Sequence, residues 1–421
     1  MVKIISLILC LLFLNACKSD AKNLEQNTTN LEQNATKLEQ NSSKSINLTP
    51  QNKEELILLL KENKGLYLGD INTSKITDMS DLFAEVFAEE LEAQYIHYYP
   101  RIKVENDYFN GIEKWDVSGV ENFKGTFAFL ENFDQNISSW DTSSAKTMER
   151  MFYGAKNFNQ NINDWDVSKV KNMNAMFLEA ITFNQPLDKW DVSKVESMEG
   201  IFYHNKIFNQ KLNTWNTKNL TDTSFAFAGA SSFNQNINSW DTSNVKDLNY
   251  TFAGAKKFNQ NLNKWNVSKA ENFNSTFKNA ISFNKPLNDW DVSGAKNMSH
   301  MFKNASNFNQ TLKKWDVSKI EKAEQMFVDA KNFNQNLSSW KIAKDTKVDE
   351  IFMNSKLATK PPKWFFEIDR TKGVYRNYQE VFLDKVYLKE AIPFSLRYYK
   401  NLWYLQGSCK TSPCRTKRDL S

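Results

Sequence analysis

The sequence predicts a repeat solenoid of about ten 25-residue coils, each with a short strand and a short helical turn, capped at both ends. Three observations predict it. Tryptophan recurs at 115, 140, 165, 190, 215, 240, 265, 290, 315 and 340, a spacing of 25 that never slips. Phenylalanine, isoleucine or leucine, and alanine recur in columns locked to the same period. One such unit cannot bury its aromatic residues alone, so neighbours must stack, and the ends must be closed by sequence that does not repeat.

Residues 1–16 carry one lysine and then the apolar run Ile4–Leu14. The run is too short for a membrane span of roughly 20 residues and has the layout of a secretory signal peptide. Leu14-Asn15-Ala16-Cys17 resembles the bacterial lipobox, which makes Cys17 the expected lipidation site. Each buried methylene contributes roughly 0.8 kcal/mol, so two or three acyl chains would hold the protein at a membrane. The plainer alternative is a signal peptide with Cys17 incidental.

Residues 17–50 read as a polar stalk containing a heptapeptide written three times, NLEQNTT, NLEQNAT and KLEQNSS. One leucine per heptad is half the seam of a coiled coil, and polar low-complexity sequence of this kind does not bury a core. Asn27, Asn34 and Asn41 each lie in Glu-x-Asn-x-Ser/Thr, which resembles the acidic sequon of bacterial N-glycosylation. Asn249 matches a related pattern inside a repeat, as asparagine-rich sequence does by chance.

Residues 51–114 form the expected N-terminal cap. KEELILLLKENKGLYLG (53–69) reads as a helix ending near Gly65, and INTSKITDMSDLF (71–83) matches the repeat without its tryptophan. From Phe83 to Trp115 is 32 residues where the regular interval is 13, so an aromatic insertion interrupts the array.

The regular coils occupy 115–355. Val170, Met173, Phe177 and Ala180 recur at helical spacing, which predicts two to three helical turns, and a short strand is placed at Phe-Asn-Gln-x-Ile/Leu. The tryptophan column reads as a packed ladder rather than a sugar-stacking platform. The aspartates at 116, 141, 166, 191, 241, 291 and 316 give way to asparagine at 216 and 266. Asparagine can replace aspartate as an acceptor in an Asx-turn but not as an acid or base, so this column is read as turn-forming. The asparagines at 159, 184, 209, 234, 259, 284, 309 and 334 are read as a polar ladder. Residues 356–421 differ in composition and form the expected C-terminal aromatic-basic cap; Cys409 and Cys414 are candidates to pair in an exported protein.

Nothing in the chain spells a catalytic or phosphate-binding constellation, and the expectation is a protein that is not an enzyme and needs no cofactor or metal. His97, His204 and His300 are scattered. The net charge of +5, with acids and bases interspersed, gives no electrostatic footprint for nucleic acid.

The units WDVSKVKNMNAMFLEAITFNQPLDKW (165–190) and WDTSNVKDLNYTFAGAKKFNQNLNKW (240–265) resemble the repeats of BspA-like leucine-rich-repeat surface proteins, abundant among mycoplasma lipoproteins. The resemblance implies an LRR-like right-handed α/β solenoid and a role in adhesion at a cell surface. The expected partner is a macromolecule, most simply a protein, with the membrane touched only through the lipid anchor on the outer face of a bacterial membrane. Specificity is expected in the column that fails to repeat: Arg150, Ala175, Gly200, Phe225, Tyr250, Ser275 and His300. The alternatives are a variable surface coat without a fixed ligand and a carbohydrate-binding module using exposed tryptophan.

Overall fold

A computed structural model describes residues 48–88 and 102–368. The expected signal peptide and most of the stalk, with Cys17, Asn27, Asn34 and Asn41, lie outside the described residues, as do the middle of the insertion and Cys409 and Cys414.

The chain enters through helix α1, Lys53–Glu62. Its start is set by Asn52, whose side-chain oxygen accepts the backbone N–H of Glu55 at 2.9 Å. Glu54 and Glu55 lie in its first turn and Lys61 in its last, each matching the helix dipole. Leu56, Ile57, Leu59 and Leu60 are buried, so α1 covers the first coil. Lys53 Nζ reaches across to the carbonyl of Ser80 at 2.9 Å and to Glu85 at 2.8 Å. The first coil ends in a short helix α2, Leu82–Val86, after which the insertion begins. Its bridge from Asp78 to Asn122 joins the repeat-like segment 71–83 to the array as the sequence suggested.

From Asn122 onwards every coil is bonded to the next in one register. Parallel bridges link Asn122, Thr147, Asn172, Ser197, Asp222, Asp247, Asn272, Asn297, Lys322 and Lys347 in an unbroken row. The repeats are therefore tandem coils stacked one on another.

The regular coils contain neither the expected helix nor the expected strand among the described residues. In the segment from Leu248 to Ala255 the backbone N–H groups alternate in their use. Leu248, Tyr250, Phe252 and Gly254 donate to the next coil, to the carbonyls of Asn272, Asn274, Thr276 and Lys278 at 2.6–3.0 Å. Thr251, Ala253 and Ala255 donate three residues back, to Leu248, Tyr250 and Phe252. A helix would spend every N–H inside the segment; here half are spent along the stack. Left-handed residues at Tyr250 (φ 55°) and Gly254 (φ 71°) also break any helical run. Consecutive three-residue turns still return side chains to one side every three or four residues, which is why the spacing imitates a helix. The Phe-Asn-Gln segment carries no bridge because side chains replace the backbone there. Asn209 Oδ1 accepts the N–H of Asn234, and Asn234 Oδ1 accepts that of Asn259, both at 2.9 Å. The polar ladder predicted for this column is present from Asn159 to Asn334.

The core lies between these two segments and is a set of aromatic stacks. Phe83, Phe127, Phe152 and onwards to Phe352 stack at 5.5–5.9 Å between centroids. The second column packs against it within each coil, as Phe252 on Phe258 at 4.2 Å. The tryptophans are 2–4 % exposed, and the indole N–H of each donates to a carbonyl one coil back, such as Trp165 to Ile137 at 3.1 Å. They present no face to a sugar. The ladder also runs one rung further than the sequence suggested, since Trp364 stacks on Trp340 at 6.3 Å and donates to Leu337.

Candidate ligand-facing surface

The column expected to carry specificity is a column of left-handed residues. Gly125, Arg150, Ala175, Gly200, Phe225, Tyr250, Ser275, His300, Gln325 and Glu350 all have φ between 54 and 61°. Left-handed backbone disfavours any side chain with a Cβ, yet each coil holds it because the N–H on either side of the turn is fixed by the next coil. The residue type is thereby freed to vary without altering the path of the chain.

Variation does not make these residues exposed. Arg150 is 1 % exposed and pairs with Glu149 at 3.1 Å, Ala175 and Ser275 are fully buried, and Phe225 is 6 % exposed. Of the residues from Arg150 to His300 in this column, only Tyr250 and His300 are half-buried. The burial of Arg150, Ala175, Phe225 and Ser275 has a simple cause: side chains in one column line up along the stack, where neighbours in the adjacent coils can roof them.

What reaches the surface is Tyr250, His300, Gln325 and Glu350 together with Tyr203, Lys278, Lys303 and Met353 from the column three residues on, which sequence reasoning passed over and whose other members are buried. That second column is Ala128, Tyr153, Leu178, Tyr203, Ala228, Ala253, Lys278, Lys303, Val328 and Met353. Phe225 and Tyr250 stack at 4.8 Å with their rings 6° apart, and Tyr203 meets Phe225 edge-on at 5.9 Å. With Ala228 and Ala253 they form an apolar cluster separate from the main core. Lys278 Nζ stands 5.7 Å from the centre of the Tyr250 ring, within the range of a cation–π contact. Lys303 donates to Gln325 Oε1, and Gln325 Nε2 donates to Glu350 at 2.6 Å.

Burial acts on all three basic groups here. It lowers the Lys278 and Lys303 ammoniums from their ordinary range, and it takes His300, flanked by both lysines, down to about 4. His300 is therefore neutral at neutral pH. The signal that would have found Lys278 and Lys303 is that a column otherwise apolar or aromatic changes to lysine in two consecutive coils.

The aspartate column does what asparagine can also do. Asp166, Asp191, Asp241 and Asp291 accept the N–H of the serine two residues on at 2.9–3.1 Å, and Asn266 accepts that of Ser268 at 3.1 Å. The column makes Asx-turns. No group of three His, Cys, Asp or Glu side chains able to hold a metal occurs among the described residues. A cavity of about 590 Å³ lies apart from this face, beside the insertion, with Tyr67, Phe87, Ile102, Val104 and Tyr108 in its walls.

A family model described as "Mycoplasma protein of unknown function, DUF285" matches residues 101–214, 196–306 and 268–365, three overlapping spans that cover the whole stack of regular coils. No curated protein and no solved structure matches the chain. A match running through most of the chain makes it a member of the DUF285 family of mycoplasma repeat proteins.

Proposed function

We propose that this chain is a lipid-anchored protein of a bacterial cell surface that adheres to a macromolecule, a protein of a host or neighbouring cell, through the face carrying Tyr203, Tyr250, Lys278 and Lys303. The observation that carries the reading is the division of labour between columns. Residues that repeat are spent on the aromatic core and the hydrogen-bonded ladders, while among those that vary Tyr203, Tyr250, Lys278 and Lys303 reach the surface from an unvarying backbone. A scaffold of that kind suits recognition rather than chemistry. The lipobox-like Leu14-Asn15-Ala16-Cys17 supports the anchor, and the BspA-like resemblance of 165–190 and 240–265 supports adhesion on an LRR-like scaffold.

A test on intact cells separates the parts. Added protease should remove the full-length protein, and Cys17→Ala should release it into the medium. Beads carrying the full chain should retain cultured cells, and the triple variant Tyr203→Ala, Tyr250→Ala and Lys278→Ala should not. Protection from protease would sink the surface reading; full retention by the triple variant would sink the face. The second reading, a coat protein without a fixed ligand, draws on the uniform coil-to-coil register, which lets units be gained or lost without new contacts. It predicts that no bead-bound form retains cells and that repeat number differs between isolates.

A further inference from the structure

The two ends of the stack are finished differently. At the first coil α1 lies over the end, and Lys53 Nζ takes the carbonyl of Ser80, one of the row that would accept from a preceding coil. At the last coil nothing among the described residues plays that part. In the coil before it, the N–H groups of Ala323, Gln325, Phe327 and Asp329 donate to the carbonyls of Lys347, Asp349, Ile351 and Met353 at 2.7–3.0 Å. The matching N–H groups of Val348, Glu350, Phe352 and Asn354 bond to nothing among the described residues. Val348 is half-buried, although its column is buried from Phe123 to Ala323. Phe365 leans on Phe352 at 5.6 Å and helps to close the end of the aromatic core, but it leaves this row of donors open.

An open row of backbone donors pairs with whatever offers carbonyls at the same spacing. A second copy does not. Tail to tail it would set donors against donors, and head to tail it would need the carbonyl row that α1 covers. The remainder of this chain does. Beyond Ile368 the sequence writes the turn segment of a coil once more. Tyr375, Tyr378, Val381, Phe382, Leu383 and Leu388 have the spacing of Val170, Met173, Met176, Phe177, Leu178 and Phe183, and Asn377 stands where Asn172 makes its bridge. Sequence reasoning missed the match because the step from Phe352 to Phe382 is 30 residues where the period is 25. The extra length falls before the match. A regular coil passes from Lys169 to Asn172 in three residues, and nine separate Ile368 from Asn377, so the chain is long enough to arrive in register. Lys385 departs from the pattern, since coils bury a small residue such as Ala180 there. An outermost coil has no neighbour beyond it, so a long side chain at that position has a way out to solvent.

We propose that residues 375–388 dock on the open edge of the last coil as one further turn segment, the carbonyls of Asn377, Gln379, Val381 and Leu383 accepting from Val348, Glu350, Phe352 and Asn354. Docked there, the segment removes an edge that would otherwise recruit extended polypeptide from other proteins.

Two measurements on the full chain test it. In hydrogen exchange, the Val348, Glu350, Phe352 and Asn354 amides should be protected to within about tenfold of Ala323, Gln325, Phe327 and Asp329. The double variant Tyr378→Asp and Phe382→Asp should speed exchange at those four at least tenfold and leave Leu248, Tyr250 and Phe252 as they were. A disulfide reads the register. Asn354 donates to Asp329 one coil back, and Asp384 falls in the same column one coil on. In a chain carrying Cys409→Ser and Cys414→Ser, Asn354→Cys with Asp384→Cys should therefore close a disulfide within one chain, located by peptide mapping. Asn354→Cys with Lys389→Cys should not. Fast exchange at the four amides of the native chain, amides unmoved by the double variant, or a first pair that cross-links no better than the second would overturn the proposal. A disulfide between chains in place of one within a chain would make the occupant a second copy and overturn it too.

Discussion

The indole N–H of Trp240 donates to the carbonyl of Leu212, 2.9 Å away and one coil back along the stack. The ring beyond it stacks on Trp215 at 5.8 Å and Trp265 at 6.3 Å. One side chain thus fixes both the spacing and the rotation of two adjoining coils. Trp240→Phe keeps an aromatic rung but leaves the buried Leu212 carbonyl without its donor and a gap where the second ring lay. The expected loss is about 2–4 kcal/mol, combining an unpaired buried acceptor with a cavity. A denaturant titration measures it; a loss below about 1 kcal/mol would show that the indole bond contributes little.

Asn209 separates acceptor chemistry from charge. Its Oδ1 takes the N–H of Asn234 at 2.9 Å, while its own N–H is taken by Asn184. Asn209→Leu should cost about 1–3 kcal/mol, because the Asn234 N–H has no other partner within the coil. Asn209→Asp should be milder, since Asp134 holds the same position at the head of the row and accepts from Asn159 at 2.9 Å. Hydrogen exchange at the Asn234 amide reads the difference directly.

Acid should weaken the stack through one column and strengthen it through another. Asp191, Asp241 and Asp316 are held below the ordinary carboxylate range by the hydroxyl and N–H of the serine two residues on, and Asp141 by the N–H first and then the hydroxyl. A depressed folded pKa gives stability that is present above the unfolded value, about 3.9, and is lost as pH falls through the folded one. Asp247 has the opposite sign, raised by burial and by the neighbouring Asp222. Its contribution is present in acid and lost as pH rises through its folded value. Asp247→Asn should therefore raise Tm at neutral pH, with the gain disappearing in acid, and Asp241→Asn should soften the acid limb. A Tm profile across pH that moved in parallel for both variants would contradict this.

His300 gives a single-residue readout of the candidate site. Burial takes its folded pKa to about 4, below the ordinary imidazole value of about 6.5, so its contribution to stability is full above that ordinary value and lost as pH falls towards 4. An NMR titration of the imidazole should show a midpoint near 4 in the native chain, moving upwards in the Lys278→Met, Lys303→Met variant. A midpoint near 6.5 in the native chain would mean that the imidazole is solvated and uncrowded.

Gly229 and Gly254 have nearly the same left-handed backbone, φ 73° and 71°, in different surroundings. A Cβ at Gly229 would fall 2.3 Å from His204 Cδ2 and 3.3 Å from His204 Cα, whereas at Gly254 the nearest atom is 3.5 Å away. Gly254→Ala should cost about 1–2 kcal/mol for the backbone alone. Gly229→Ala should cost more, and should shift His204 off Tyr203, on which it stacks at 4.1 Å. Equal losses in the two variants would show that His204 yields freely.

The sequence by itself determined the period, the core columns and the turn-forming asparagines and aspartates. Each of these follows from a choice of residue type that is legible wherever it recurs: an aromatic ring to bury, an amide to accept. Phe233, Ile237, Trp240, Val245, Leu248, Phe252 and Ala255 are all buried, as their columns required. It could not determine the local conformation, because a row of three-residue turns and a helix return side chains to one side at nearly the same interval. Only the stack decides between them, by drawing every second N–H out of Leu248–Ala255 and into the next coil. The candidate face was legible in half. Variation marked the column of Tyr250 and His300, but exposure depends on what the neighbouring coil lays over each residue, so Arg150 and Phe225 are buried where Tyr250 is not. That Lys278 faces Tyr250 on one side and Lys303 on the other is a contact between residues 25 or more apart in sequence. Stacking alone brings them together.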